Sequence, residues 1–201
     1  CINRTRDQMY FCLQTHTRHS ERFADPRLVV NHIFLWEHMQ DFLVSGNRHR
    51  LSRINNPIHI LLTHLHGDHA NGLEAFGFMR WLEWRRTGRA LPRLHTTSQV
   101  AERLWQRLAP AMDQGGTASL GDYYELRVLP KSSAANIAGL QVEHRMGRHT
   151  VPTCGFRISD GTRTFGWSGD TTWDPGHIEW LQTADFVVHE TSPAPAHTPV
   201  E

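Results

Sequence analysis

The sequence predicts an α+β protein with the layer order αββα, in which two mixed β-sheets are flanked by helices. Three observations carry this prediction. Short apolar and β-branched runs recur through the second half of the chain, helical runs flank them, and a length of 201 residues suffices for one domain with a proper core.

Taken in order, residues 1–56 resist assignment, with mixed polarity, no clean strand alternation and one helical run over 34–43. The chain opens on Cys1 rather than methionine, which reads as a fragment or an altered upstream region. From residue 58 the pattern sharpens. The run 58–62 is short, apolar and partly β-branched, as a buried strand is. Residues 64–71 form the loop at its end, and a helix over 72–86 is closed by the punctuation at 88–92. Residues 94–96 read as a further strand, Ser98 as the N-cap of a helix through Leu108, and 113–120 as a loop. Strands are then expected at 123–128, 140–145, 155–158 and 164–168, in antiparallel runs with a turn at Asp160-Gly161, and a last buried strand at 186–188.

Composition narrows the function classes. Hydrophobic residues at 39% and charged residues at 20% are ordinary for a globular protein, and a net charge of +1 gives bulk binding to RNA no support. Three scattered cysteines, Cys1, Cys12 and Cys154, suggest a reducing compartment, so the cytoplasm is expected. Neither a membrane-spanning run nor a signal-peptide layout is visible, and no membrane partner is expected. Fifteen histidines is a high count for the commonest metal ligand.

Their positions decide what they mean. Thr63-His64-Leu65-His66-Gly67-Asp68-His69 packs three imidazoles and a carboxylate into six residues directly after a buried strand. His64 and His66 project to one side of an extended backbone and can grip one ion. Asp68 and His69 follow the turn at Gly67 and offer oxygen and nitrogen donors that suit Zn²⁺ at a second ion. A histidine-rich surface loop is the bland alternative, and the buried strand before it argues against that.

This H-x-H-x-D-H run resembles the signature of the metallo-β-lactamase superfamily, and three companions follow in the family's order. The segment from Gly147 through His149 and Pro152 to Phe156 resembles the third-histidine segment of the ribonuclease Z and phosphodiesterase branch. Trp167-Ser168-Gly169-Asp170-Thr171 is similar to the family's S-G-D-T, whose aspartate bridges two metals, and Val188-His189-Glu190-Thr191-Ser192 resembles its H-E-A-T. Alone, His149 would read as a loop histidine and Gly169-Asp170 as a turn. The resemblance covers roughly 58–198, so the single domain expected over 1–201 has a motif-bearing part at 58–198 and an unassigned part at 1–56.

The resemblance implies a metallo-β-lactamase-like four-layer sandwich and two Zn²⁺ ions at its open end. It places His64, His66 and His149 on one ion, Asp68 and His69 on the second, and Asp170 between them. Two such ions about 3.5–4 Å apart turn a bound water into an attacking hydroxide near neutral pH. The implied catalytic residues are Asp68, which orients the hydroxide, and Glu190 with His197, which protonate the leaving group. The implied function is a zinc-dependent phosphodiesterase or ribonuclease Z-like hydrolase of small-molecule, nucleotide or RNA phosphodiesters, with a homodimer left open. A lactonase, thioesterase or β-lactamase-like hydrolase on the same fold and a non-catalytic metal-binding module are the alternatives. Two departures stand out. No equivalent of the family's last histidine precedes Glu201, so the second zinc site is expected to be incomplete or the chain truncated. The twenty residues between His149 and Asp170 are too few for a tRNA-gripping arm, which argues against tRNA 3′-end processing. His95, His144, His177, Trp81, Trp84 and Trp105 are read as structural, and Trp173 as a residue lining the substrate cleft.

Overall fold

The computed structural model describes residues 2–5, 8–11, 28–30, 58–192 and 195–199. Eleven strands are described: β1 (Ile2–Thr5), β2 (Gln8–Phe11), β3 (Leu28–Val30), β4 (His59–Leu61), β5 (Arg93–Thr96), β6 (Glu125–Val128), β7 (Ala135–Ile137), β8 (Leu140–Met146), β9 (Cys154–Ser159), β10 (Thr164–Trp167) and β11 (Phe186–Val188). Four helices accompany them: α1 (Gly67–Ala70), α2 (Leu73–Thr87), α3 (Ser98–Met112) and α4 (Pro175–Leu181). The chain divides into two compact units, Ala24–Val128 and Cys1–Phe23 together with Leu129–Glu201. The α+β class with two sheets is the architecture observed. The helical run expected at 34–43 lies outside the described residues.

The Ala24–Val128 unit is built on a parallel sheet in the order β3-β4-β5-β6. A parallel strand needs a crossover to its neighbour, and α2 and α3 supply two of them. In α3, Val100, Leu104, Leu108 and Met112 recur every fourth residue and are all buried, so one stripe of the helix faces the core. They pack with Ile58, Ile60 and Leu62 around β4, with Leu94, and with Leu73 and Phe76 of α2. The cap of α3 is Thr97, whose Oγ1 accepts from the N–H of Val100 at 3.4 Å, one residue before the expected Ser98. The helix also outruns Leu108, because Met112 extends the buried stripe by a turn.

A second correction concerns the segment expected as an antiparallel strand at 123–128. Only Glu125–Val128 is a strand, and it runs parallel to β5. Tyr123 and Tyr124 are held out of it: their buried phenols donate to the carbonyls of Met112 at 2.8 Å and Leu73 at 2.5 Å, fastening both helices to the sheet.

In the other unit a mixed sheet runs β1-β2-β11-β10-β9-β8-β7. Strands β7 to β10 form an antiparallel meander, and β11 then lies parallel to β10 and to β2. Strand β7 escaped the sequence reading because three residues, Ala-Asn-Ile, give no alternation to detect. Its turn to β8 is legible in retrospect: Ala138 and Gly139 both have positive φ, 54° and 89°, as a two-residue primed hairpin turn requires. Helix α4 was also missed, although Asp174-Pro175 is a cap followed by a proline at the first helical position; Asp174 accepts from the N–H of His177. Among the described residues no helix is long and apolar enough to cross a membrane.

One buried polar pair marks the parallel sheet. His59 Nδ1 lies 2.9 Å from His95 Nε2 on the adjacent strand, with the rings near-parallel. Burial, then the neighbouring His59, Arg93 and Arg127, push the His95 pKa down to about 4. The folded state therefore binds a proton less readily than the unfolded chain. His95 contributes stability that is fully present above about pH 6.5 and lost as pH falls towards 4. The free energy of unfolding is expected to fall across that window, and less steeply in His95→Gln. Equal slopes in the two proteins would assign the loss to other groups.

Candidate metal centre

Each unit carries one group of the residues singled out in the sequence. In the Ala24–Val128 unit the group follows β4, at the carboxyl end of a strand in a parallel sheet, the usual place for ligands in such folds. The end of β4 is pinned to β5: the N–H of Leu62 donates to the carbonyl of His95 at 3.0 Å, and Thr96 Oγ1 donates to the carbonyl of Leu62 at 2.8 Å. Thr63 and His64 are fully buried, and Thr63 Oγ1 stands 3.0 Å from His64 Nδ1.

Helix α1 then turns the chain back. The carbonyl of His66 accepts from the N–H groups of His69 and Ala70, so the histidine at 69 returns over the one at 64. Ring centroids of His66 and His69 lie 4.9 and 4.2 Å from that of His64. Asp68 Oδ2 is 3.4 Å from His69 Nε2, while the Asp68 side chain is 78% exposed. Arg107 of α3 fixes the α1–α2 junction, donating to Asn71 Oδ1 at 2.6 Å and Glu74 Oε1 at 2.8 Å.

In the other unit, topology does the gathering. Strands β10 and β11 are parallel, so 168–172 and 189–192 leave the sheet at the same end. Strand β9 is antiparallel to β10, so its beginning, and the β8–β9 loop that carries His149, lie at that end too. His149 Nδ1 is 2.9 Å from the carbonyl of Ala196, which assigns it the proton and leaves the lone pair on Nε2. His149 Nε2 is 3.8 Å and His197 Nδ1 is 3.7 Å from the same Asp170 Oδ2.

Glu190 organises the loops from beneath. Its Oε1 accepts from the backbone N–H of Thr171 at 3.1 Å and of Thr198 at 3.0 Å, and its Oε2 lies 3.2 Å from His197 Nδ1. Thr198 Oγ1 donates to the carbonyl of Thr171 at 3.1 Å. The β8–β9 loop joins through Arg148, whose N–H donates to Thr171 Oγ1 at 3.0 Å and whose guanidinium pairs with Asp174 at 3.1 Å.

His64, His66, Asp68 and His69 thus stand together in one unit, and His149, Asp170, Glu190 and His197 in the other. Sequence reasoning missed the residues that hold them: Arg107, Thr171, Asp174 and Thr198. Only Asp174 had a readable signal, its place before a proline.

The donors fit a divalent ion of zinc's type, since neutral imidazoles and carboxylates are what such an ion takes from proteins. The two-sheet α+β fold, with an H-x-H-x-D-H run at a strand end, is that of a metallo-β-lactamase-fold protein. The chain resembles the structure of the metallo-β-lactamase fold protein YhfI from Bacillus subtilis with a TM-score of 0.62 at 14% identity, over 86% of this chain and 65% of that one.

Within that fold the chain belongs to the family described as Anti-Pycsar protein Apyc1, whose model matches residues 48–201. An Anti-Pycsar protein Apyc1 from a Paenibacillus species is 33% identical over 119 residues, which is 58% of this chain and 46% of that protein. A cAMP/cGMP-dependent 3′,5′-cAMP/cGMP phosphodiesterase B from Dictyostelium discoideum is 27% identical over 160 residues, 71% of this chain and 14% of that protein. The chain spans less than half the length of either relative.

The Glu190 arrangement is directly testable. Hydrogen bonds to a charged acceptor contribute about 1.5–3 kcal/mol each. Glu190→Ala is therefore expected to cost stability of that order and to speed amide exchange at Thr171 and Thr198, with Glu190→Gln, which keeps an acceptor, doing less. Unchanged exchange at both amides in Glu190→Ala would show that the carboxylate does not hold these loops.

Proposed function

We propose that the chain is a zinc-dependent phosphodiesterase acting on 3′,5′-cyclic nucleotides. His64, His66, His149 and Asp170 would hold one ion, and Asp68, His69 and Asp170 the second. The observation that carries the proposal is the donor chemistry: in each unit, imidazoles crowd a carboxylate on loops at strand ends. The cyclic-nucleotide substrate is supported by the activity named for the Dictyostelium relative. The cytoplasm is the compartment proposed, on the three scattered cysteines.

When bound, such ions supply a hydroxide nucleophile near neutral pH and Lewis acidity toward the phosphoryl oxygens. The rest falls to the protein. Asp68 and Asp170 orient the incoming nucleophile. The ester P–O bond breaks, and the departing oxygen takes a proton. With Nδ1 turned to the Glu190 carboxylate, His197 delivers that proton from Nε2, and Glu190 stabilises the charged ring.

Assay of the purified protein with Zn²⁺ on 3′,5′-cAMP, 3′,5′-cGMP, bis(p-nitrophenyl) phosphate, a lactone panel and a cephalosporin decides the reading. Conversion of the cyclic nucleotides to monophosphates is expected. Turnover of lactone or cephalosporin alone would assign another hydrolase on this scaffold, and inactivity on every substrate would favour a binding module. Asp68→Ala is expected to abolish hydrolysis with the fold retained. His197→Ala should slow an alkyl phosphodiester about 10²–10⁴-fold and leave p-nitrophenyl esters almost untouched, because that leaving group needs little protonation. Near-normal turnover in Asp68→Ala would sink the mechanism. Metal analysis should find one tight ion and a weaker second, since the second depends on the exposed Asp68 carboxylate; two ions of equal affinity would refute that ranking.

A further inference from the structure

His177 plays no part in the chemistry above, yet it is a fully buried imidazole directly behind the loop that carries Asp170. It sits in the first turn of α4, and its Nε2 is 3.1 Å from the carbonyl oxygen of Ser168. A carbonyl only accepts, so Nε2 bears the proton and donates. Burial lowers the pKa of the ring, which keeps it neutral and in this tautomer.

Three features show that this contact is more than packing. First, the ring and the loop meet directly above Gly155 of β9. A Cβ there would stand 2.7 Å from His177 Nε2, 2.7 Å from the Ser168 carbonyl and 2.6 Å from that of Trp167, so the hydrogen bond occupies space that only glycine leaves. Second, His177 Nδ1 is buried with no hydrogen-bond partner among the described residues. An unmet polar atom is costly, and an apolar residue of the same size would avoid it. Third, the bond completes the fixation of Ser168. Its N–H donates to the carbonyl of Val188 at 3.0 Å, and its Oγ accepts from the N–H of Glu190 at 3.0 Å and donates to the carbonyl of Gly169 at 2.6 Å. Only the Ser168 carbonyl remains, and His177 takes it. Gly169 then turns with a φ of 62°, and Asp170 follows.

We infer that His177 is a positioning residue for Asp170: it clamps the Ser168–Gly169 peptide from the protein interior and so sets where the Asp170 carboxylate stands, an inference that rests on the metal-centre reading. Groups that orient metal ligands from behind typically change metal affinity about 10–100-fold when removed. The same helix acts on the neighbouring ligand loop, since Asp174 caps α4 and pairs with Arg148 beside His149.

The test compares wild type with H177L, which fills the space without a donor, and H177Q, which restores an N–H; H177M replaces H177L if leucine is not tolerated. Zn²⁺ affinity is read by competition with a chromophoric chelator. Amide exchange over 166–172 is read without added metal. H177L is expected to bind Zn²⁺ about 10–100-fold more weakly and to exchange faster over 166–172, with most of both effects recovered in H177Q. Zn²⁺ affinity in H177L within twofold of wild type, or unchanged exchange over 166–172, overturns the inference. Wild-type protein that takes up no Zn²⁺ defeats the metal-centre reading instead, and the exchange data then decide whether His177 anchors the loop.

Discussion

Thr171 is the point at which the loops of the mixed-sheet unit are tied together, and the geometry of Asp170 follows from it. Its N–H donates to Glu190, its hydroxyl accepts from the N–H of Arg148 and donates to the carbonyl of Thr172, and its carbonyl accepts from Thr198. Three positions distant from it in sequence, Arg148, Glu190 and Thr198, thereby share one buried residue. A loop that leaves a sheet edge normally keeps much of its conformational freedom. Here the freedom is removed by hydrogen bonds that each have one end on the backbone, which cannot be swung aside as a long side chain can. A valine at 171 would fill the same space and lose both hydroxyl bonds, including the one that brings in the His149 loop through Arg148.

Much of this was readable from the sequence, and the division between what was and was not has a physical cause. β4, α2, β10 and β11 are legible because each is a short run rich in apolar residues or a helix closed by a glycine; Gly88, with a φ of 71°, is such a stop. The chemical residues are legible because their spacing is local: His64, His66, Asp68 and His69 fall within six residues. What failed to register lies in tertiary contact alone. Glu125–Val128 shows no sign of running parallel, because strand direction is set by a partner thirty residues earlier. Arg107 looks like one more polar residue on an amphipathic helix until the α1–α2 junction is placed beneath it. His177 was read as structural, and nothing in Pro-Gly-His-Ile announces a donor aimed at the carbonyl of Ser168.

The donors also differ from one another in how far the fold has already ordered them. His64 and Asp170 are buried and the His149 side chain is nearly so, and His149 and Asp170 are held by contacts on more than one side. Asp68 projects into solvent from a single turn of helix and touches only His69 among the contacts described for its side chain. Ordering a side chain costs entropy at the moment of binding, and that cost is already met during folding for a residue locked in the interior. Under the function proposed above, the ordered residues would keep their places whether or not an ion is bound, whereas Asp68 would settle only against what it binds. In the metal centre proposed, such order suits Asp170, the carboxylate that would have to stay in place through a reaction. The exposed Asp68 would suit a ligand that comes and goes, because a side chain that gains its order on binding regains its freedom on release.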